Sequence, residues 1–240
     1  MEQETRSQIA GVKTVGVKAV NERAAIKFGD TVFKITKRSF DVFCGLMGCL
    51  LLIPLTLFVK VGNMLTGDFA PVFYKTKRIG KNGKEFDFYK FRSMVRTKDG
   101  RNAEYLLEEL FKKRPDLLEQ WKTTRKLDED PRITKMGKFI RKTSIDEIPQ
   151  FFNILRGDMS LIGPRPLMVG ELDEYHGSHE TYEAVRPGLT GWWAANGRSE
   201  VENYNERLHL EYFYVNNQSL ALDFKVIYLT AKSLFSGGAK

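Results

Sequence analysis

Cysteine is scarce in this chain. Two occur among 240 residues, Cys44 and Cys49, both inside one apolar stretch. Two thiols without metal-ligand spacing build neither a disulfide framework nor a metal cluster, so they read as small buried hydrophobes. Histidine is nearly as scarce, at three. His176 and His179 stand among Glu171, Asp173, Glu174 and Glu180, but without the tight His/Cys patterning of a zinc site, and we read a polar surface helix or loop there. The GxxxxGK[ST] phosphate loop, the GxGxxG fingerprint and the HExxH zinc motif are all missing. Their absence argues against an ATPase, a dinucleotide-dependent enzyme and a zinc protease. Repeats and low-complexity tracts are missing too.

What the chain has is positive charge: 38 Lys and Arg against 30 Asp and Glu, a net +8. That excess favours anionic partners such as phosphorylated metabolites, an acidic membrane surface or nucleic acid. The basic and aromatic residues of FDFYKFR (Phe86–Arg92) fit a half-buried strand, so we expect no nucleic-acid partner. With 42% hydrophobic and 28% charged residues, the chain can bury a core and fits one domain of ordinary size with an appendage.

One stretch carries no charge: VFCGLMGCLLLIPLTLFV, from Val42 to Val59. As a helix it extends about 27 Å, close to the ~30 Å hydrocarbon thickness of a bilayer. Lys34, Lys37 and Arg38 precede it, and Lys60, Lys75, Lys77, Arg78 and Lys81 follow it. Basic flanks mark the cytoplasmic side, and here both flanks are basic. A straight span would place one of them outside. Pro54 removes a helical hydrogen bond and can bend the segment. We therefore expect a re-entrant helix broken at Pro54, with both flanks on one face against anionic lipid.

The rest divides as follows. Residues 1–32 read as a loosely ordered extension, 33–65 as the re-entrant membrane helix with its approach, and 66–240 as a cytoplasmic catalytic domain. Residues 71–94 predict a hairpin turning at Asn82-Gly83. The 102–126 stretch has helical spacing interrupted at Pro115, for interfacial or core packing. Ser144 with Glu147 three residues on has capping-box spacing for a helix over 145–155, which Gly157 can end. Residues 187–198 predict a loop or strand-turn, and 204–234 predict helix. The fold class is α+β, mostly α: a re-entrant membrane helix, amphipathic interfacial helices and a small β-hairpin within a catalytic domain.

The candidate chemistry lies in RKTSIDEIPQFFNILRGDMSLIGPRP, residues 141–166. Asp146 and Glu147 are adjacent acids behind Arg141 and Lys142. Pro164 and Pro166 hold Arg165 on a stiff turn, where a planar guanidinium suits phosphate oxygens. Acids beside cations suggest a divalent ion, and magnesium takes one or two carboxylates plus substrate phosphates. A carboxylate can also attack phosphorus itself. The bland alternative is a helix-capping acid pair on a membrane-bound adaptor.

At these residues the sequence resembles the bacterial sugar transferases of the monotopic phosphoglycosyl transferase superfamily. The resemblance rests on KRSFDV (37–42), FYKFRSM (88–94), residues 130–166, RPGLTGWWAANGR (186–198) and LDFKVIYLTAKSLF (222–235), and covers about residues 33–236. It implies an enzyme of the bacterial cytoplasmic membrane, facing the cytoplasm. Such an enzyme moves a sugar-1-phosphate from a UDP-hexose to undecaprenyl phosphate and releases UMP, in exopolysaccharide or capsule synthesis. By the motif, Asp146 is the nucleophile that forms a phosphosugar intermediate and Glu147 its partner, with magnesium at Asp146. Arg141, Arg165, Lys90, Arg92, Arg186 and Arg198 are candidate substrate contacts. A homodimer is compatible with the resemblance. Plain glycosyl transfer releasing UDP is the competing chemistry. Trp193, Ala194 and Ala195 depart from the family's usual GWAQVNGR string.

Overall fold

In the computed structural model, the backbone is described for residues 2–96, 105–124, 127, 130–174, 177–197 and 204–235. Side chains are described for these residues from Gly29 on, except 120, 122–124 and 234–235. The chain divides into two units, Met1–Phe40 and Asp41–Lys240. The first is helical backbone, the beginning of α1 (Glu2–Leu65). Helix thus also covers the stretch read as an extension. Gly29–Leu65 is long and apolar enough to cross a membrane.

In the second unit, α1 carries Asp41 onward. Its apolar side chains stand largely uncovered, Ile53 at 73% and Leu57 at 66% exposure. Its small residues do the packing: Gly45 lies against Leu155, Gly48 against Phe151 and Gly62 against Met136. Val59 is fully buried in a core with Val72, Phe91, Met136 and Ile140, flanked by Leu52 and Leu55. Asp41 is buried and accepts hydrogen bonds from the Leu161 amide (2.8 Å) and the Ser160 hydroxyl (3.0 Å).

The expected hairpin is present. β1 (Phe73–Ile79) pairs antiparallel with β2 (Glu85–Phe91), from Phe73 opposite Phe91 to Ile79 opposite Glu85. The turn needs two positive-φ residues in succession, and Asn82 (58°) and Gly83 (70°) supply them. Alternation along β2 buries Phe86 and Phe88 against Ile154 and Met159. α2 (Tyr105–Lys113) and α3 (Asp116–Thr124) follow, separated at Pro115 as the spacing predicts. α4 (Lys135–Lys142) starts at a Thr134 cap whose hydroxyl accepts from Gly137 N at 2.8 Å.

α5 (Gln150–Arg156) ends at Gly157, whose φ of 88° the glycine permits. Fully buried Asn153 pins α5 to β2. Its amide donates to Asp87 O (2.7 Å), and its carbonyl accepts from Tyr89 N (3.2 Å). β3 (Ser160–Ile162) pairs in parallel with β4 (Gly188–Thr190). The connection between them holds the Pro–Arg–Pro turn, α6 (Glu171–Glu174) and α7 (His179–Tyr182). After β4 the chain forms α8 (Trp192–Gly197), where a loop or strand-turn was expected. α9 (Tyr204–Asn216) and α10 (Leu220–Phe235) complete the fold. Ile162, Tyr214 and Val226 bind this half together.

Candidate active site

The acid pair sits between α4 and α5, on a one-turn 3-10 segment, Ile145–Glu147. The capping box read from Ser144 and Glu147 does not form. Ser144 adopts a left-handed conformation (φ 55°), and its side chain makes no capping bond. Its carbonyl accepts from Glu147 N instead. The residue closes α4 and redirects the chain, a role that sequence spacing does not distinguish from a cap. A left-handed non-glycine residue costs about 1–3 kcal/mol, and such strain persists where surrounding structure enforces it.

Asp146 is 8% exposed. Lys90, reaching from β2, places its Nζ 2.9 Å from Glu147 Oε1 and 3.5 Å from Asp146 Oδ2. Burial raises the Asp146 pKa above the ordinary carboxylate value. The charge of Lys90 opposes that rise, neighbouring Glu147 adds to it, and Arg141 opposes it. The result is a desolvated carboxylate with one oxygen beside an ammonium, next to a second carboxylate. It can act as a nucleophile or hold a cation. Arg141, exposed in the last turn of α4, is close enough to act on Asp146 electrostatically.

Arg165 belongs to a second cluster. Its guanidinium lies 6.0 Å from the Trp193 ring centre, and Arg207 from α9 lies 4.8 Å from the same ring and 4.6 Å from the Tyr204 ring. Arg207 reaches Glu171 at 3.4 Å, and Arg78 from β1 reaches it at 3.8 Å. Arg165 N donates to the buried Glu211, whose burial pushes its pKa up to about 7. The two clusters meet at Phe88: Lys90 Nζ is 5.7 Å from its ring centre and the Arg78 guanidinium 5.4 Å.

The remaining candidates are placed differently. Arg92 is 4% exposed and donates to Pro71 O (2.7 Å), Met94 O (2.8 Å) and Asp68 (2.9 Å), joining the end of α1 to β2. Arg186 donates to Gly157 O at 2.7 Å, holding the end of α5. Arg198 and His176 lie outside the described residues. Sequence reasoning missed Arg207, Glu211 and Glu171. The signal was present in α9, where Arg207 and Glu211 share the buried face with Leu208 and Tyr214. A charge pair at core spacing is a sign of a buried polar site.

His179 bridges Asp173 (2.7 Å) and Glu183 (2.6 Å) at the surface, and both hydrogen bonds raise its pKa. Among the described residues, no group of three or more His, Cys, Asp or Glu is placed to hold a metal. A cavity of about 230 Å³ lies behind the Pro–Arg–Pro turn, lined by Pro164, Leu167, Tyr182 and Glu183.

The description of bacterial sugar transferases matches residues 32–237. The exopolysaccharide production protein ExoY of Sinorhizobium fredii is 43% identical over 196 residues, 82% of this chain and 84% of that protein. The undecaprenyl-phosphate galactose phosphotransferase of Salmonella typhimurium is 42% identical over 199 residues, 83% of this chain but 40% of that one. A UDP-N-acetylgalactosamine-undecaprenyl-phosphate N-acetylgalactosaminephosphotransferase of Aeromonas hydrophila is 32% identical over 86% of this chain and 45% of its own length. The chain thus spans most of the first relative and less than half of the other two. With its motif residues at the Asp146 site and a match over nearly all of its length, the chain belongs to the bacterial sugar transferase family.

Proposed function

We propose that the protein transfers a sugar-1-phosphate from a UDP-hexose to undecaprenyl phosphate through a phosphosugar intermediate on Asp146, releasing UMP. The carrying observation is the buried Asp146 carboxylate held beside Lys90 and Glu147. The relatives named for galactose and N-acetylgalactosamine phosphate transfer support this substrate class. The chain is a phosphoglycosyl transferase, and transfer onto a lipid carrier suits exopolysaccharide or capsule synthesis.

In the first step an Asp146 oxygen attacks the sugar-bearing phosphorus. The bond from that phosphorus to the bridging oxygen breaks, and UMP leaves with the electron pair. In the second, an oxygen of the lipid phosphate attacks the same phosphorus, and the Asp146–phosphorus bond breaks to restore the carboxylate. Lys90 and Arg141 bring positive charge to the phosphate being transferred. Glu147 holds Lys90 in place. Two adjacent carboxylates and substrate phosphates suit magnesium. Asp146 and Glu147 would hold it, and when bound it would neutralise diphosphate charge.

Purified protein with magnesium, undecaprenyl phosphate and a panel of UDP-sugars is expected to release UMP with one donor. Release of UDP instead would mean glycosyl transfer and would remove Asp146 from the nucleophile role. Lys90→Met is expected to lower kcat/KM about 100-fold or more. It should also move the acid limb of the pH–rate profile to higher pH. Lys90 favours ionised Asp146, so without it the carboxylate protonates at a higher pH. An unmoved acid limb would separate Lys90 from the titrating group.

The apolar part of α1 is read as re-entrant, entering and leaving the membrane on the cytoplasmic face; the expected break at Pro54 is not an interruption of the helix, because α1 runs continuously through that proline. Support comes from packing on both sides of that proline. Gly45 and Gly48 lie on α5, while Val59 and Gly62 lie on the α4 core. A helix crossing the bilayer would carry one of these contacts away from a domain held on one face. Single cysteines replacing Lys34 and Lys60 in a cysteine-free background should both react with an impermeant maleimide from the cytoplasmic side. Labelling of the two from opposite sides would establish a span.

A further inference from the structure

Among the described residues, the largely buried arginines differ in how their donors are met. Arg92 has hydrogen-bond acceptors at Nε, Nη1 and Nη2. Arg78 and Arg207 do not: the Nε of each is buried without a hydrogen-bond partner, as is Nε1 of Trp193, whose ring both Arg165 and Arg207 approach. Three guanidiniums are thus gathered around two carboxylates, Glu171 and Glu211. Burial, and after it the close approach of a neighbouring arginine, depresses the pKa of Arg78 and of Arg165. Buried donors left without acceptors are costly, and each calls for a partner such as an ion. One acceptor in the cluster, Glu211 Oε2, is likewise buried without a partner, but three unpartnered N–H donors and an excess of positive charge stand against it, which favours an acceptor-rich anion as the partner.

Phe88 carries Lys90 of the acid pair and Arg78 of this cluster on one ring. The ring thus links Arg78, one edge of the cluster, to the lysine that stands beside Asp146. In the first step, the phosphorus–oxygen bond breaks and the nucleotide phosphate takes the electron pair, gaining a negative charge as it departs. Lys90 is already engaged with both carboxylates. Resting on the proposed reaction, we infer that Arg78, Arg165, Arg207 and the Trp193 indole N–H form a second phosphate subsite, which holds the phosphate of the departing nucleotide. Trp193 is a residue in which this chain departs from the GWAQVNGR string, so the indole donor is a feature of this chain's own site. A phosphate could also come from the lipid acceptor, and the test separates the two.

The test is direct binding of UMP and of uridine to the full chain in nanodiscs, by calorimetry, together with KM for undecaprenyl phosphate. Trp193→Phe keeps an aromatic ring under Arg207 and removes the N–H. Arg207→Gln removes a charge, and Arg207→Lys restores it. Trp193→Phe and Arg207→Gln should each weaken UMP about 10-fold or more, with Arg207→Lys recovering part of the loss and uridine binding little changed. UMP binding equal to wild type in a folded Trp193→Phe protein overturns the subsite. So does a rise confined to KM for undecaprenyl phosphate, which would assign the cluster to the acceptor. If Arg207→Gln does not fold, Trp193→Phe decides. Release of UDP by the wild type defeats the underlying reaction, a different result from unchanged UMP affinity.

Discussion

Asp146→Asn should reduce UMP release by at least about 1,000-fold while leaving the protein folded, with a melting temperature at neutral pH equal to or above that of wild type. The activity loss follows from chemistry: an amide is not a competent nucleophile toward phosphorus, and a residue whose bond to the substrate defines the intermediate is not replaced by its neighbours. The stability direction follows from burial. Desolvation raises the Asp146 pKa in the folded protein above its unfolded value, so the folded state binds the proton more tightly. The stabilisation from that proton is fully present below the unfolded pKa. It is lost as pH rises through the folded pKa. At neutral pH the ionised carboxylate is therefore a liability to the fold, and asparagine removes it. A wild-type rate in the variant would defeat the covalent mechanism. A large fall in melting temperature would show that Asp146 serves the fold, and the lost rate would then say nothing about chemistry.

The opposition between fold and chemistry also marks where the sequence was readable. Local rules found the hairpin, because Asn82-Gly83 has few alternatives to a tight turn and β2 alternates cleanly. They found the interruption at Pro115 and the helix end at Gly157 for the same reason: each is decided within a few residues. Ser144 defeated them, since its cap spacing holds in sequence but its backbone is left-handed in the fold. Asp146 and Glu147 were legible as an acid pair, but Lys90 meets them from a strand more than fifty positions away. No spacing rule encodes that meeting. Arg165 was legible as a presented guanidinium, yet its neighbours, Arg78 and Arg207, come from β1 and α9. The cluster exists only once β3, β4 and α9 have packed.

Gly188→Ala should be among the most damaging single changes outside the acid pair. Gly188 pairs with Ser160 across the β3–β4 ladder. A Cβ there would overlap Gly163 N and Thr190 O, while one on Gly163 would meet Arg186 O and one on Gly191 would meet Gly163 O. These are backbone atoms, which cannot swing aside as a side chain can. Overpacking of this kind costs about 3 kcal/mol, or more where nothing can yield. The displaced segments are those that bear Arg165, two residues after Gly163, and Trp193, three residues after the end of β4, so surviving protein should also bind its donor poorly. Gly29→Ala is the matched control, because nothing lies within 4 Å of a Cβ there. In a helix that change should be neutral or slightly stabilising. The pair is measured as melting temperature and as donor KM. A wild-type melting temperature for Gly188→Ala would mean that the two strands can separate at little cost, and that the Arg165 turn is not held by their close approach.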